Sequence, residues 1–238
     1  AEEIERNSQK ISSMQEQVII GMANLIELRD DSTGMHVKNT KKYVGMIAAK
    51  MQEDGLYTDI LSDSYIKNMC KAAPLHDIGK IRISDLILQK PGRLTEEEFN
   101  EMKKHTVYGS DIIHEIMGGL EDDKYIKIAA NIARYHHERW DGRGYPDGLK
   151  GDEISIGAQV VSIADVYDAL VSERVYKKAF PREKARDMIA GGECGCFNPL
   201  LVQEFLKIEP ELYETMYKEN EAVKDNDERI EWMRKAPI

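Results

Sequence analysis

The chain has 238 residues, 42% of them hydrophobic and 32% charged, a balance typical of one folded globular domain rather than of a disordered segment. Its formal net charge of -10 argues against binding to a nucleic-acid polymer, because the phosphate backbone would be repelled. Three cysteines are too few for the disulfide framework of a small secreted domain, so a reducing cytoplasm is expected.

The sequence gives no sign of a segment that contacts or crosses a membrane. Its longest apolar stretch, residues 18–26, includes Gly21 and Asn24 and is shorter than the roughly 20 residues that span a bilayer. The opening residues are acidic and lack the basic start and apolar run of a secretory signal. We therefore expect a cytoplasmic piece of a longer protein.

Helical periodicity dominates the sequence. Glycine and proline occur mainly at isolated points, and alternating strand patterns are scarce. The segments between them have apolar residues at helical spacing, as at Ile126, Ala129, Ile132 and Ala133. The sequence therefore predicts an all-α fold, a bundle of about nine helices.

We divide the chain into three units. Residues 1–28 form a polar segment with a heptad-like apolar stripe made of Ile4, Ile11, Met14 and Val18. This spacing predicts a linking or homodimerising helix or, as an alternative, an ordinary amphipathic helix. Residues 29–208 are the expected catalytic domain. Residues 209–238 are charged, contain Pro210 and Pro237, and are expected to form one or two helices on the outside.

Predicted helix ends place histidines beside loops. Thr95 and Glu98 have the spacing of a capping box, which predicts a helix with His105 two to three turns inside it. His136 and His137 end a further helix, directly before a loop rich in glycine.

Five of the six histidines lie at element ends or beside acidic and glycine-rich segments. These are His36, His76, His105, His136 and His137. The sixth, His114, follows His105 by nine residues on the same predicted helix. At about 100° per residue this separation puts the two on opposite sides. If His105 faces a metal ion, His114 does not.

The His76-Asp77 pair could supply adjacent ligands to neighbouring metal ions, with the carboxylate bridging both. An isolated pair of this kind is more often a cap or a hydrogen-bonded pair. Here Gly79 permits close backbone approach, and Lys80 adds a charge suited to phosphate. Two-metal sites of this type hydrolyse phosphate esters by activating water and stabilising charge on the attacking and leaving oxygens.

Asp165 and Asp168 lie three residues apart on an apolar helix, so both carboxylates face about the same way. Buried carboxylates need a partner, and either a metal ion or a salt bridge to Arg or Lys would serve. A nitrogen and oxygen ligand set without thiolate favours Fe, Mn or catalytic Zn. Cys194 and Cys196, without a second pair of ligands nearby, are a weak zinc signal.

Taken together, these motifs resemble the HD-GYP family, a branch of the HD-domain metal-dependent phosphohydrolases. The resemblance extends from residue 27 to about residue 206, and its signature is HHERWDGRGYP at residues 136–146. Further matching blocks lie at residues 27–30, 33–36, 76–80, 90–95, 105–106, 164–170 and 174–177. It implies a helical HD fold, a centre of two or three metal ions, and hydrolysis of cyclic di-GMP.

The resemblance also implies roles for individual residues. The metal ligands would be His36, His76, Asp77, His105, His136, His137 and Asp165. Lys80 and Asp77 would be catalytic. Substrate contacts would come from Lys80, Arg143, Tyr145, Asp168, Arg174 and Lys177. The alternatives are a solvated helix end for Arg174 and Lys177 and a packing role for Tyr145.

Four positions depart from the family pattern, one of them Ser84, which replaces a frequent Pro. Ser32 stands four residues before His36, where members with a third metal carry Glu. We therefore expect two divalent ions, Fe or Mn, and the linear dinucleotide pGpG as the main product rather than GMP. Gln159 and Asn198 replace a frequent Arg and a frequent Asp, and Asn198 could weaken packing near the C-terminal helices.

The expected partners are cyclic di-GMP, an upstream sensory domain that is fused to this segment or regulates it, and a second copy bound through the N-terminal helix. Two other functions stay open. One is a phosphohydrolase acting on another cyclic dinucleotide, and the other is a module that senses cyclic di-GMP or docks a partner without turnover.

Overall fold

The structure is a computed structural model that describes residues 2–30, 35–117, 123–172 and 178–215. Within these ranges there is no β-sheet, only one isolated antiparallel bridge between Asp141 and Lys150. The helices are α1 (Glu2–Glu27), α2 (Met35–Glu53), α3 (Asp63–Ala72), α4 (Asp85–Leu88), α5 (Glu96–Lys103), α6 (His105–Met117), α7 (Asp123–Tyr135), α8 (Ile156–Val171), α9 (Arg182–Ala190) and α10 (residues 199–215). The predicted all-α fold is confirmed.

Helix α8 is the centre of the bundle. Its sequence is apolar on nearly every side, and all but three of its 16 residues are buried, as expected for a helix enclosed by others. Helices α2 and α7 pack against α8, and α6 packs across α7. Asp165 and Asp168 are therefore carried by the most enclosed helix of the described chain.

The outer helices also contribute to this core. Ile26, at the end of α1, and Leu212, on α10, belong to the same buried cluster as the α8 side chains, although both lie just outside residues 29–208. Another face of α1 exposes large apolar side chains, among them Ile11, Val18 and Leu25. Among the described side chains of α1, the buried ones are Ala23, Ile26 and Glu27, on one face of its last turns.

The helix expected to contain His105 is interrupted. The capping box of Thr95 and Glu98 is present, but α5 ends at Lys103 and the amide of Lys104 bonds to carbonyl oxygens in the preceding turn. His105 is therefore the first residue of α6, and its predicted place two to three turns inside one helix is wrong. The tight turn lets the His105 ring bond back to the carbonyl of Met102.

Asn198 does not loosen the packing around it. Its side-chain amide donates to Gln159 Oε1 at 2.9 Å and to the Tyr57 hydroxyl at 2.8 Å. Its own oxygen accepts from the amide of Leu200. Two departures from the family pattern thus form one neutral, buried amide pair.

None of the helices that the structure describes is long and apolar enough to cross a lipid bilayer.

Candidate metal centre

The His76-Asp77 pair lies in a buried bend between two 3₁₀ turns. Gly79 sets the position of this bend, because a Cβ at that residue would overlap the backbone of His105 and Gly109 in α6. Only glycine, which lacks a Cβ, allows the bend and the helix to lie this close. The close approach brings Asp77 beside His105.

The two carboxylate oxygens of Asp77 face different histidines. Oδ1 lies 3.2 Å from Nε2 of His105 and 3.6 Å from Nε2 of His136. Oδ2 lies 3.3 Å from Nε2 of His76 and 2.7 Å from the ammonium group of Lys80. This is the geometry of a carboxylate that could bridge two neighbouring ions.

Two groups of ligand atoms converge here, and within each group the atoms lie no more than 4.8 Å apart. The first group is Asp77, His105, His136 and His137. The second is His36, His76 and Asp165. The structure thus brings together all seven residues that the resemblance implied as ligands. Cys194 and Cys196 are in neither group.

Hydrogen bonds at Nδ1 orient four of the imidazoles. The acceptors are Asp168 for His36 (2.7 Å), the carbonyl of Ala73 for His76 (2.8 Å), the carbonyl of Met102 for His105 (2.7 Å), and the carbonyls of Ile132 and Ala133 for His136 (both 3.0 Å). An Nδ1 that faces a carbonyl must carry the proton, so Nε2 of the neutral ring is left as a metal-ligating lone pair.

Several of these ligand atoms lack a satisfactory partner within the described chain. Nε2 of His105 and Nε2 of His136 are 3.4 Å apart, so two lone pairs face each other when both rings are neutral. Nε2 of His76 and Oδ1 of Asp77 are buried without a hydrogen bond of normal geometry. Leaving such groups unpaired costs about 1–3 kcal/mol each. Divalent cations would satisfy all four atoms, so the residues fit a metal centre.

The electrostatics of the centre suit metal ligands. Burial, with the neighbouring imidazoles, holds the pKa of His137 well below its usual value. Burial opposes ionisation of Asp77, but Lys80 and His76 hold the pKa of Asp77 well below its usual range. Burial also lowers the pKa of His76, yet Asp77 and Asp165 outweigh it and raise that pKa to about 9. Near pH 7 Asp77 is therefore ionised and His137 neutral, whereas His76 would release a proton on binding metal.

Asp165 and Asp168 hold the His36 ring from its two nitrogens. Asp165 Oδ1 is 3.4 Å from Nε2, and Asp168 Oδ2 is 2.7 Å from Nδ1. The other oxygen of Asp168 accepts from Asn39 at 2.8 Å and from Ser172 at 3.1 Å. Asp168 is only 1% exposed. Its position suits orientation of His36, and does not support the expected contact with substrate.

The loop after His137 folds back over the centre. A Cβ at Gly144 would overlap the backbone of Glu138 and Arg139, so this close return also depends on glycine. The Tyr145 ring then stacks on the His137 ring, with centroids 4.8 Å apart and planes 30° apart. Tyr145 therefore lines the approach to the first ligand group.

Comparison with known proteins identifies the family of this chain. The HD domain family matches residues 21–193, and the loop just described carries the HD-GYP signature. This chain belongs to the HD-GYP branch of the HD-domain family.

Curated relatives and a solved structure are similar to this HD-GYP chain. A probable cyclic di-GMP phosphodiesterase of Vibrio cholerae serotype O1 is 42% identical over 207 residues, which cover 86% of this chain and 46% of that protein. The 3'3'-cGAMP-specific phosphodiesterase 2 of the same organism is 37% identical over 191 residues, which cover 80% of this chain and 34% of that protein. The chain thus spans less than half of either relative.

The solved structure is a HDG"Y"P protein from Bdellovibrio bacteriovorus. It aligns with a TM-score of 0.52 and 20% identity, covering 75% of this chain and 54% of that chain. At this identity the likeness supports the HD-GYP fold alone.

Two side chains of the HD-GYP domain that the sequence analysis did not single out lie beside Tyr145. Lys103, on α5, places its ammonium group 5.2 Å from the centre of the Phe99 ring and 6.0 Å from that of Tyr145. Phe99 is exposed. The only sequence signal was their helical spacing of four residues on α5. An aromatic surface with one positive charge thus borders the centre.

Arg143, another expected site residue, lies on the surface. The side chain of Arg143 is 87% exposed and pairs with Asp141 at 3.4 Å. Arg174 and Lys177 lie outside the described residues. His114 is exposed on α6, whereas His105 is buried, as the rotation between them predicts.

Glu27 is another residue to which the sequence analysis gave no role. It belongs to the block at residues 27–30, yet no ligand was expected there. The structure buries it at the end of α1, with a ligand atom within 4.8 Å of those of His36 and Asp77. The available signal was a charged residue directly after Ile26 on the enclosed face of the helix.

Proposed function

We propose that this HD-GYP domain is a metal-dependent phosphodiesterase that hydrolyses cyclic di-GMP to linear pGpG. The observation that carries the proposal is the convergence of two ligand groups on Asp77, whose two oxygens face one group each. The 42% identity to a protein named a probable cyclic di-GMP phosphodiesterase supports the choice of substrate.

Two divalent ions, Fe or Mn, would occupy the centre. One would be held by Asp77, His105, His136 and His137, and the other by His36, His76 and Asp165, with Asp77 shared. Such ions lower the pKa of water towards neutrality and stabilise charge on the attacking and leaving oxygens of an in-line displacement. The nitrogen and oxygen donors present favour these metals over ions that prefer thiolates.

Lys80 is placed to act on the phosphate. Its ammonium group lies 2.7 Å from Asp77, and its side chain is 14% exposed, so the charge is fixed at the edge of the centre. There it would donate to a non-bridging phosphoryl oxygen and stabilise the negative charge of the transition state. Water adds to phosphorus, the bond from phosphorus to the 3' oxygen breaks, and that oxygen takes a proton. The phosphate of the linear product stays attached to the 5' oxygen.

The surface of Tyr145, Phe99 and Lys103 would hold the rest of the dinucleotide. Aromatic rings offer stacking to a guanine base, and a nearby ammonium attracts the second phosphate. Arg174 and Lys177 stay predictions from the sequence for phosphate contact.

A second cyclic dinucleotide is also a candidate substrate, because the chain is 37% identical to a protein named a 3'3'-cGAMP-specific phosphodiesterase. The metal and phosphate chemistry is the same for both substrates. Contacts to the bases must therefore decide between them.

We also propose that the HD-GYP domain works in the cytoplasm as one part of a longer protein, under the control of a sensory domain. Its coverage of less than half of two curated relatives supports the longer protein.

The test is metal analysis combined with product identification. Protein purified without oxygen is loaded with Fe²⁺ or Mn²⁺ and given cyclic di-GMP, 3'3'-cGAMP and cyclic di-AMP in parallel. We expect fastest turnover of cyclic di-GMP, with pGpG accumulating before any GMP. Faster turnover of 3'3'-cGAMP would assign that substrate instead, and metal-loaded protein without turnover would indicate a sensing module.

A further inference from the structure

Glu27 is a glutamate buried inside the protein. It is 4% exposed, and its Oε1 is buried without a hydrogen-bond partner within the described chain. Glutamate is almost never fully buried unless it is paired, because a buried polar atom without a partner is costly. A partner other than the described protein groups would therefore stabilise Oε1.

The position of Glu27 indicates what that partner is. Glu27, His36 and Asp77 each present one ligand atom, and these atoms lie within 4.8 Å of one another. Both neighbours belong to the metal centre. One oxygen of Glu27 thus lies beside groups that are themselves arranged for a cation.

Contacts of Arg29, two residues after Glu27, connect the end of α1 to the segment after Asp77. The Arg29 guanidinium donates to the carbonyl oxygens of Lys80 and Ile83 at 3.4 and 3.3 Å. It also forms an ion pair with Asp85 at 2.6 Å. The end of α1 is therefore tied to the segment that directly follows Asp77, and Glu27 is directed at the centre by several independent contacts.

We propose that Glu27 is an eighth ligand of the centre, binding the divalent cation held by His36. This inference rests on the metal centre of the proposed function. The oxygen donor adds negative charge to a group otherwise made of two imidazoles and Asp165, which strengthens binding of a hard cation such as Mn²⁺.

A purely structural role for Glu27 makes the opposite prediction. If Glu27 only held α1 in place, its replacement would loosen the helix and lower the stability of the metal-free protein. If Glu27 is a ligand, Glu27→Gln keeps the size and shape of the side chain, so the metal-free protein should unfold at about the wild-type temperature. What it loses is metal affinity.

The experiment titrates Mn²⁺ alone into the whole chain after chelator treatment. Bound metal per chain is measured by equilibrium dialysis, and thermal unfolding of the metal-free protein is measured in parallel. The variants are Glu27→Gln, Glu27→Asp and Ile26→Ala. Ile26 is the matched control, because it is buried on the same turn of α1 but offers no ligand atom.

We expect Glu27→Gln to bind the weaker of the two ions about 10 to 100 times less tightly, a range seen even for outer partners of metal ligands. Glu27→Asp should restore part of that affinity. Ile26→Ala should lower the unfolding temperature and leave metal binding unchanged.

Wild-type Mn²⁺ binding by Glu27→Gln would overturn this assignment and leave the proposed function intact. So would a loss of metal that only accompanies a loss of stability equal to that of Ile26→Ala. A wild-type chain that binds no Mn²⁺ would overturn the metal centre itself and, with it, both proposals.

Discussion

The residues of the centre differ in how many neighbouring side chains they contact, and Asp77 faces four of them. One of its oxygens faces His105 and His136, and the other faces His76 and Lys80. If Asp77 were replaced by a small residue, one water molecule in the position of its carboxylate could not bind ions in both ligand groups. Individual substitutions should therefore have effects that depend on which of these contacts they remove.

Asp77→Ala should abolish both metal occupancy and turnover, since it removes the link between the two groups. His114→Ala is the matched control, because His114 is exposed on the same helix as the buried His105. Metal analysis and turnover of cyclic di-GMP check the pair. Loss of metal in His114→Ala, or equally mild effects of both changes, would contradict the geometry.

Lys80→Ala should retain metal but slow hydrolysis by about 10² to 10³ in kcat, the usual loss for one preorganised donor to a developing negative charge. Bound metal replaces the positive charge that Lys80 places beside Asp77, so occupancy is preserved. Turnover at saturating substrate, together with metal content, provides the measurement. An unchanged kcat would remove Lys80 from the mechanism.

Among the structural elements, α6 lies close to the His76-Asp77 bend at Gly79. Gly79→Ala would place a Cβ into the backbone of His105 and Gly109 and push α6 away from the bend. We expect a loss of about 1–3 kcal/mol, typical of overpacking, together with weaker metal binding. Gly21→Ala is the control, because nothing lies within 4 Å of that position, and alanine should stabilise the helix slightly. Urea denaturation and metal titration measure both effects.

Helix α1 presents a second apolar face. Ile11, Val18 and Leu25 are 58%, 60% and 67% exposed and recur at intervals of seven residues, the spacing of a coiled-coil seam. The opposite side of the same helix buries Ala23 and Ile26. Association with a second copy through α1 therefore stays a prediction, and Ile11, Val18 and Leu25 are the residues that would form the contact.

Val18→Glu should convert such a dimer into monomers, because it places a charge in the seam. Ser13→Glu adds the same charge at an exposed position of the helix away from the seam and should leave the dimer intact. Analytical ultracentrifugation of the whole chain measures the mass. A wild-type monomer, or equal effects of the two changes, would rule out dimerisation through this face.

At the scale of the whole molecule, one buried carboxylate joins three helices. Glu209 on α10 accepts three hydrogen bonds from Arg182 of α9, the shortest at 2.8 Å, and one at 2.7 Å from the hydroxyl of Tyr167 on α8. Tyr167 directly precedes Asp168, which orients His36. The C-terminal helix is thus attached to the helix that carries part of the metal centre.

Arg182→Met should destabilise the protein by about 3–5 kcal/mol, because it leaves Glu209 as a buried charge without its cation. Adding Glu209→Gln to this variant should recover part of the loss, since the charge is then removed as well. Urea unfolding of the two variants and the wild type tests this coupling. A double variant less stable than Arg182→Met would contradict it.

The sequence by itself determined the kinds of ligand and much of the fold class. Helical spacing predicted the all-α bundle. His76-Asp77 and His136-His137 are adjacent in the chain, so each pair could be recognised as candidate ligands without the tertiary structure. Which of these candidate ligands come together was decided only by the fold, since His36 lies 3.4 Å from Asp165 of a distant helix. The fold also decided that Asp168 is enclosed, that Arg143 is exposed and that Glu27 turns inward. Spacing along a chain fixes which residues share a helix face, whereas contact and burial depend on how those faces pack together.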